Sequence, residues 1–299
     1  METRIEKIRE SERQSHTEIY SKEILYNSDS WLKKPIKTVQ DIVTYFADYD
    51  ALRVLDLGCG VGRNSIFIAE WFSEKKCLID CVDILEIAIE KLLTNAQECG
   101  VTESINGYVD AIEHYQIKKG IYDLIIVVSA LEHVENKEIL LKKLQEMEEG
   151  LKPNGIVCLV INSEVNERKT DTLEELDPQF EVNLATNEIQ SYIEKIFNKY
   201  EPIKNSLSYQ EYDIPRGEII SHLTTNPRPY PTVTAKASSP LTSNLPTTKR
   251  KRCFGRSRTN MNVIHFTGPS ADRHITPLAR IHILTTCHNS IARVKPDST

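Results

Sequence analysis

The sequence predicts an α/β fold, a doubly wound and mostly parallel sheet with helices on both faces. Three observations predict it. Between residues 51 and 161, short apolar runs alternate with stretches of helical period, the pattern of strands joined by crossover helices. Those runs are continuous in Leu, Ile and Val instead of alternating with polar residues, as strands buried on both faces require. The first run breaks off at a cluster of glycines and a helix follows it.

The elements follow in order. Residues 1–50 read as an amphipathic helical cap, with Ile42, Val43 and Phe46 on one face and Pro35 ahead of the second helix. Residues 53–57 (RVLDL) form a buried strand, and 64–72 a short, largely apolar helix. A second strand spans 78–82. A helix spans 85–99, with Ile87, Ala88, Leu92 and Ala96 at helical spacing and Gly100 as its stop. The third strand, 105–109, is weak; the fourth, 122–129 (YDLIIVVS), is strongly apolar. A helix over 137–151 presents Ile139, Leu140, Leu144 and Met147, and the turn Lys152-Pro-Asn-Gly155 leads into a fifth strand ending at 161. A helix near 186–197 and extended segments at 203–214 and 218–225 complete a domain spanning 51–225.

Charge divides the chain at the same boundary. The net charge of −6 over 299 residues hides 12 Lys and Arg against two Asp and no Glu in 226–299. Residues 1–225 hold 25 basic and 41 acidic side chains, a net −16, and so form a poor platform for a polyanion. The longest apolar run falls far short of the ~18–20 residues of a membrane helix, and the charged amino terminus lacks the apolar core of a signal peptide. Seven cysteines without CxxC pairing read as reduced thiols, and no metal site is expected. Cytoplasmic location is the expectation, with Lys249-Arg-Lys-Arg252 as a nuclear alternative.

The most informative stretch is Val54-Leu-Asp-Leu-Gly-Cys-Gly-Val-Gly62. A dinucleotide fingerprint would need glycine or alanine at 63, where Arg63 stands. An acid two residues before the first glycine suits a cationic ammonium group better than a pyrophosphate. This stretch resembles motif I of class I S-adenosylmethionine-dependent methyltransferases, and the resemblance continues downstream in order. Asp83 ends the second strand, Asp110-Ala-Ile112 follows the third, and Tyr122-Asp-Leu-Ile-Ile-Val-Val-Ser-Ala-Leu-Glu-His133 matches the segment at the fourth. Leu151-Lys-Pro-Asn-Gly155 is similar to the family's turn into the fifth strand.

The resemblance implies a Rossmann-like, seven-stranded sheet, S-adenosylmethionine as cofactor and a methyl transfer enzyme; the nearest group is the small-molecule, tellurite-resistance type. It implies that Asp56, Gly58, Cys59, Gly60 and Gly62 hold the methionine end, Cys59 through its backbone alone. Asp83 would hold the ribose, and Ile84, Asp110, Ala111 and Ile112 the adenine. Ser129 would contribute backbone, and His133 is the candidate catalytic group beside the transferred methyl. Glu132 reads as a solvated or supporting acid. Tyr20 and Trp31 could cover the pocket or simply anchor a helix, and Arg216 is a possible acceptor contact or a solvated loop charge.

Ser129-Ala-Leu-Glu stands where enzymes acting on exocyclic amines carry Asn-Pro-Pro-Tyr, which with the acidic body favours a small-molecule acceptor. Two alternatives are a non-catalytic cofactor-binding protein and a nucleic-acid methyltransferase docking through the basic end. Residues 226–299 hold eight prolines and eighteen Ser or Thr. They read as a disordered tail or as a stretch that is not the domain's evolved ending. Either way, 218–225 looks like the start of an incomplete last strand, for which 263–266 or 281–284 is a possible substitute, in no specified register.

Overall fold

The computed structural model describes residues 3–28, 30–216 and 219–225, and the backbone of 280–285. Five parallel strands form its centre: β1 (Ala51–Leu57), β2 (Lys76–Asp83), β3 (Ile105–Val109), β4 (Tyr122–Val128) and β5 (Leu151–Val160), in the order β3-β2-β1-β4-β5. The chain reverses direction across the sheet between β1 and β4, and clefts at such switch points take ligands.

Alternate residues of the central strands feed two cores. On one face Leu55, Leu57, Ile125, Val127, Val157 and Leu159 pack with α5 (Lys137–Gly150) and α6 (Thr186–Ile196). On the other, Val54, Ile79, Leu124, Ile126 and Cys158 pack with α2 (Lys37–Ile42), α3 (Ser65–Trp71) and α4 (Glu86–Glu98). The segment over 1–50 contains one long helix, α1 (Arg4–Lys22), capped by Thr3, whose hydroxyl accepts from the Glu6 N–H. It buries only Ile8 and Tyr20, so little apolar area fixes it.

Toward its carboxyl end the chain departs from expectation. The segment foreseen as the start of an inserted last strand is β10 (Ile219–Thr225), and it joins a second, four-stranded antiparallel sheet. Its neighbours there are β6 (Asn166–Lys169) and β9 (Gln210–Arg216), and β7 (Glu175–Leu176) lies on the far side of β6. The physical reason lies in the short loop between β9 and β10, which favours a hairpin over a return to the first sheet. Neither β6 nor β7 was foreseen: NERK and EL carry no apolar pattern. Beside β5 runs β11 (Arg280–Thr285), parallel to it, with β8 (Glu201–Leu207) parallel beyond, so the strand next to β5 contains 281–284, one of the two substitutes foreseen, and 263–266 lies outside the described residues. The remaining tail expectations, including Lys249–Arg252, lie outside the described residues.

Four strands are also joined by one buried carboxylate. Asp80 of β2 is wholly buried and ion-paired to Arg53 of β1. It also accepts from Asn106 Nδ2 of β3 at 3.1 Å and from Tyr122 Oη of β4 at 3.1 Å. Removing one partner of such a pair leaves the other desolvated and uncompensated. Asp80→Ala is therefore expected to lower unfolding free energy by about 3 kcal/mol, read as a shifted urea midpoint with unchanged slope.

Candidate active site

The glycine turn leaves β1 at the carboxyl edge of the sheet. Gly58 N and Cys59 N both donate to Val82 O of β2, at 2.8 and 3.0 Å, so the loop is stitched to the neighbouring strand. Gly58 (φ +71°) cannot be replaced without cost: a methyl group there would stand 2.3 Å from Cβ of Ala130. Asp83 ends β2 beneath the loop. One of its oxygens accepts from Gly60 N at 2.8 Å and the other from Leu85 N at 3.0 Å. Burial raises its pKa, although these two N–H donors and the nearby His16 oppose the rise. Asp83 thus steadies the loop and the entry to α4 while its carboxylate stays at the sheet edge.

Asp56 lies deeper, wholly buried, and accepts from the Ser65 hydroxyl at 2.5 Å. Burial pushes its pKa up to about 7, against the hydrogen bond of Ser65, and the charge of Asp83 adds to the rise. Beyond Asp83 the half-exposed Ile84 leaves an apolar surface open. Ala111 is buried, Ile112 packs near Gly58, and the Asp110 N–H donates to Asp83 O at 3.0 Å. Ser129 has φ +50° and its N–H donates to Val160 O, so its backbone links the ends of β4 and β5. The residues expected around one ligand therefore gather along one edge.

The short 3₁₀ turn Leu131–His133 after β4 carries His133. Its Nδ1 lies 2.9 Å from Glu181 Oε2, and its ring stacks on Phe180 at 5.1 Å. Burial works against the imidazolium, but the Glu181 hydrogen bond and the carboxylates Glu12 and Glu132 outweigh it and push the pKa up to about 9. At neutral pH His133 is thus a cation, not the ready proton acceptor foreseen. Glu132, expected to be solvated or supporting, is wholly buried.

Of a second set of residues at this edge, Tyr20 was foreseen as a possible cover, and Arg9, Glu12 and His16 were not. Helix α1 crosses this edge with Arg9, Glu12, His16 and Tyr20 on one face, three to four residues apart. Tyr20 Oη reaches the position a Cβ on Gly60 would approach at 3.0 Å. His16 Nδ1 lies 3.2 Å from Glu12 Oε2; burial depresses its pKa, but the bonds to Glu12 prevail and raise it. Arg9 pairs with Glu113 and, at 3.5 Å, with Glu181, the carboxylate that holds His133. Arg216 is no solvated loop charge: it sits in β9, bound to Glu167 at 3.0 Å and to Gln179 Oε1 at 2.6 Å, with Glu12 at 4.0 Å. Trp31 lies under the Arg63 guanidinium at 5.6 Å, an anchoring contact. The signal for the α1 residues was present as that polar spacing, but nothing in it named their partners. Among the described residues no cluster suits a metal ion, and no helix is long and apolar enough to cross a membrane.

Residues 54–155 match the family model described as a methyltransferase domain. Among curated proteins, the ubiquinone biosynthesis O-methyltransferase of Rickettsia canadensis is 32% identical over 122 residues, covering 40% of this chain and 47% of its own. The human tRNA N(3)-cytidine methyltransferase METTL2B is 28% identical over 109 residues, 36% of this chain and 29% of its own. The chain thus spans about half the length, or less, of these curated relatives. A solved structure of phosphoethanolamine N-methyltransferase 2 from Haemonchus contortus, in complex with S-adenosyl-L-methionine, is similar at TM-score 0.46 and 16% identity, covering 64% of this chain and 43% of that one.

A folded-state pKa raised above the ordinary histidine value of about 6.5 means that His133 stabilises the fold fully below that pH and loses the contribution as pH rises through about 9. The stability difference between the parent and His133→Asn, followed by denaturant titration, is expected to shrink across that window. By the matched family model residues 54–155 form a methyltransferase domain, and by its glycine turn and ordered acids that domain resembles the class I, S-adenosylmethionine-dependent kind.

Proposed function

We propose that the chain transfers the methyl group of S-adenosylmethionine to a small-molecule acceptor. The observation that carries the cofactor part is the 2.8 Å bond from Gly60 N to Asp83, which sets a buried carboxylate against a glycine cradle where little but Tyr20 faces the Gly60 Cβ position. When bound, S-adenosylmethionine supplies a methyl group already activated by its sulfonium. The protein then has chiefly to bind, align and exclude water.

In this reading Asp83 accepts from both ribose hydroxyls, a two-point match of one carboxylate to a vicinal diol. Ile84 and Ile112 flank the adenine, with Asp110 and Ala111 at its edge. Asp56 attracts the ammonium end from below, and the backbone of Gly58, Cys59, Gly60 and Gly62 allows close approach. Ser129 lines the cleft through its backbone. His133, held by Glu181 and Phe180, faces the acceptor side: as a cation it orients a polar acceptor, and it takes up a proton only as pH rises toward about 9.

The −16 charge of residues 1–225 supports a small acceptor over nucleic acid, and so does the ion-paired cover that α1 and the second sheet place over the edge. The Rickettsia relative acts, by its name, in ubiquinone biosynthesis, in line with a small acceptor. The human relative's name points to tRNA, so tRNA belongs in the test.

A thermal-shift screen is expected to show stabilisation by S-adenosylmethionine and S-adenosylhomocysteine and none by NAD. Asp83→Ala should lose at least tenfold in affinity for both by calorimetry; parent-like affinity would remove the ribose assignment. Release of S-adenosylhomocysteine is expected with a metabolite pool and not with tRNA, whereas binding without turnover on either would favour a non-catalytic role. Because Asp56 titrates near pH 7, affinity for S-adenosylhomocysteine should rise several-fold from pH 6 to 7.5, and Asp56→Asn should flatten that dependence.

A further inference from the structure

Glu132 precedes His133 in the turn after β4 and is wholly buried. Its Oε1 accepts twice from one residue, Asn162, through the backbone N–H at 3.2 Å and through the side-chain Nδ2. Two buried atoms of this same pair have no partner: Glu132 Oε2 and Asn162 Oδ1. Both are acceptors when the carboxyl is ionised, so neither can satisfy the other, and a buried charge with an orphaned oxygen is strongly disfavoured. One proton removes both vacancies at once. A carboxylic acid and a carboxamide are complementary in two parallel hydrogen bonds: the amide N–H to the acid carbonyl, and the acid O–H to the amide oxygen.

We infer that Glu132 is held neutral and closes such a ring with Asn162, making it a positioning residue for His133. Burial raises the Glu132 pKa, opposed by the facing His133 charge, by the residue's own backbone N–H and by the bonds from Asn162, so the direction agrees with the geometry. The ring fixes the 3₁₀ turn to the segment just beyond β5. On the other side of the turn, Glu132 O accepts from Val182 N at 3.0 Å, next to the Glu181 that holds the imidazole. Glu132 thus ties down both segments between which the His133 ring is set. It follows that the charge of His133 is upheld by Glu181 and Glu12, without Glu132. The importance of the ring for methyl transfer rests on the proposed function, while the protonation state does not.

The test uses the full chain with Glu132→Gln, which preserves the ring because a glutamine amide offers one donor and one acceptor to Asn162. In an infrared difference spectrum of parent minus variant at pH 7, a carboxylic-acid carbonyl band is expected; carboxylate bands in its place would overturn the inference. By NMR titration, His133 should keep its pKa in Glu132→Gln, whereas a fall of one unit or more would show that an ionised Glu132 had been removed. Glu132→Ala, which breaks the ring, should lower the rate of methyl transfer tenfold or more at saturating cofactor, and Glu132→Gln should restore it to within twofold. Loss of the rate in both variants, with the infrared band present, would withdraw the positioning role but not the neutral acid. A parent without turnover would count against the methyltransferase reading alone.

Discussion

Everything at the ligand edge depends on the hydrogen bond by which Asp83 captures Gly60. The glycines permit a loop that approaches the sheet closely, but permission is not order, since glycine loses more backbone freedom on folding than any other residue. Order comes from β2: Val82 O receives Gly58 N and Cys59 N, and the next residue supplies the carboxylate for Gly60. Because the other Asp83 oxygen accepts from Leu85 N, the same side chain sets the loop after β1 and the helix after β2. The spacing between strand, loop and helix is thereby decided by one residue, with Asp56 and Ser65 locking the floor beneath it.

Above that floor the structure relies on charge. The cover over the edge is made of α1 and the second sheet: Arg9 of the helix pairs with Glu113 and Glu181, and its Glu12 lies 4.0 Å from Arg216, itself bound to Glu167 and Gln179. Ion pairs that have lost part of their hydration hold an element in register without adding much net stability. That suits a cover better than a core: its position is specified, and its detachment exposes little apolar surface. The mild overall charge of −6 conveys nothing of this arrangement, which arises from opposite charges placed at matched positions far apart in the chain.

The five parallel strands and their helices were legible because burial on both faces forces continuous apolar runs, and the first three runs end at a glycine or an acid that marks the edge. The loop residues Asp56, Gly58, Gly60 and Gly62, with Asp83, were singled out by their resemblance to a known motif, and the fold gathers them along one edge. What escaped was what distance in sequence conceals. Glu12, His16 and Glu181 read as ordinary surface charges until folding brings them together. The strands β6 and β7 lack any pattern, since one is polar throughout and the other spans two residues. The fate of β10 was misjudged because alternating polarity says that a strand forms and not which sheet receives it. His133 was named as a candidate, but its state was not legible, because Glu181 and Glu12, both far from it in sequence, uphold its proton.

Helix α1 touches the glycine loop with Tyr20 near its carboxyl end and the second sheet's surroundings with Arg4 at its amino end, where Arg4 pairs with Asp177. One helix of nineteen residues thus ties the glycine loop to the surroundings of the second sheet.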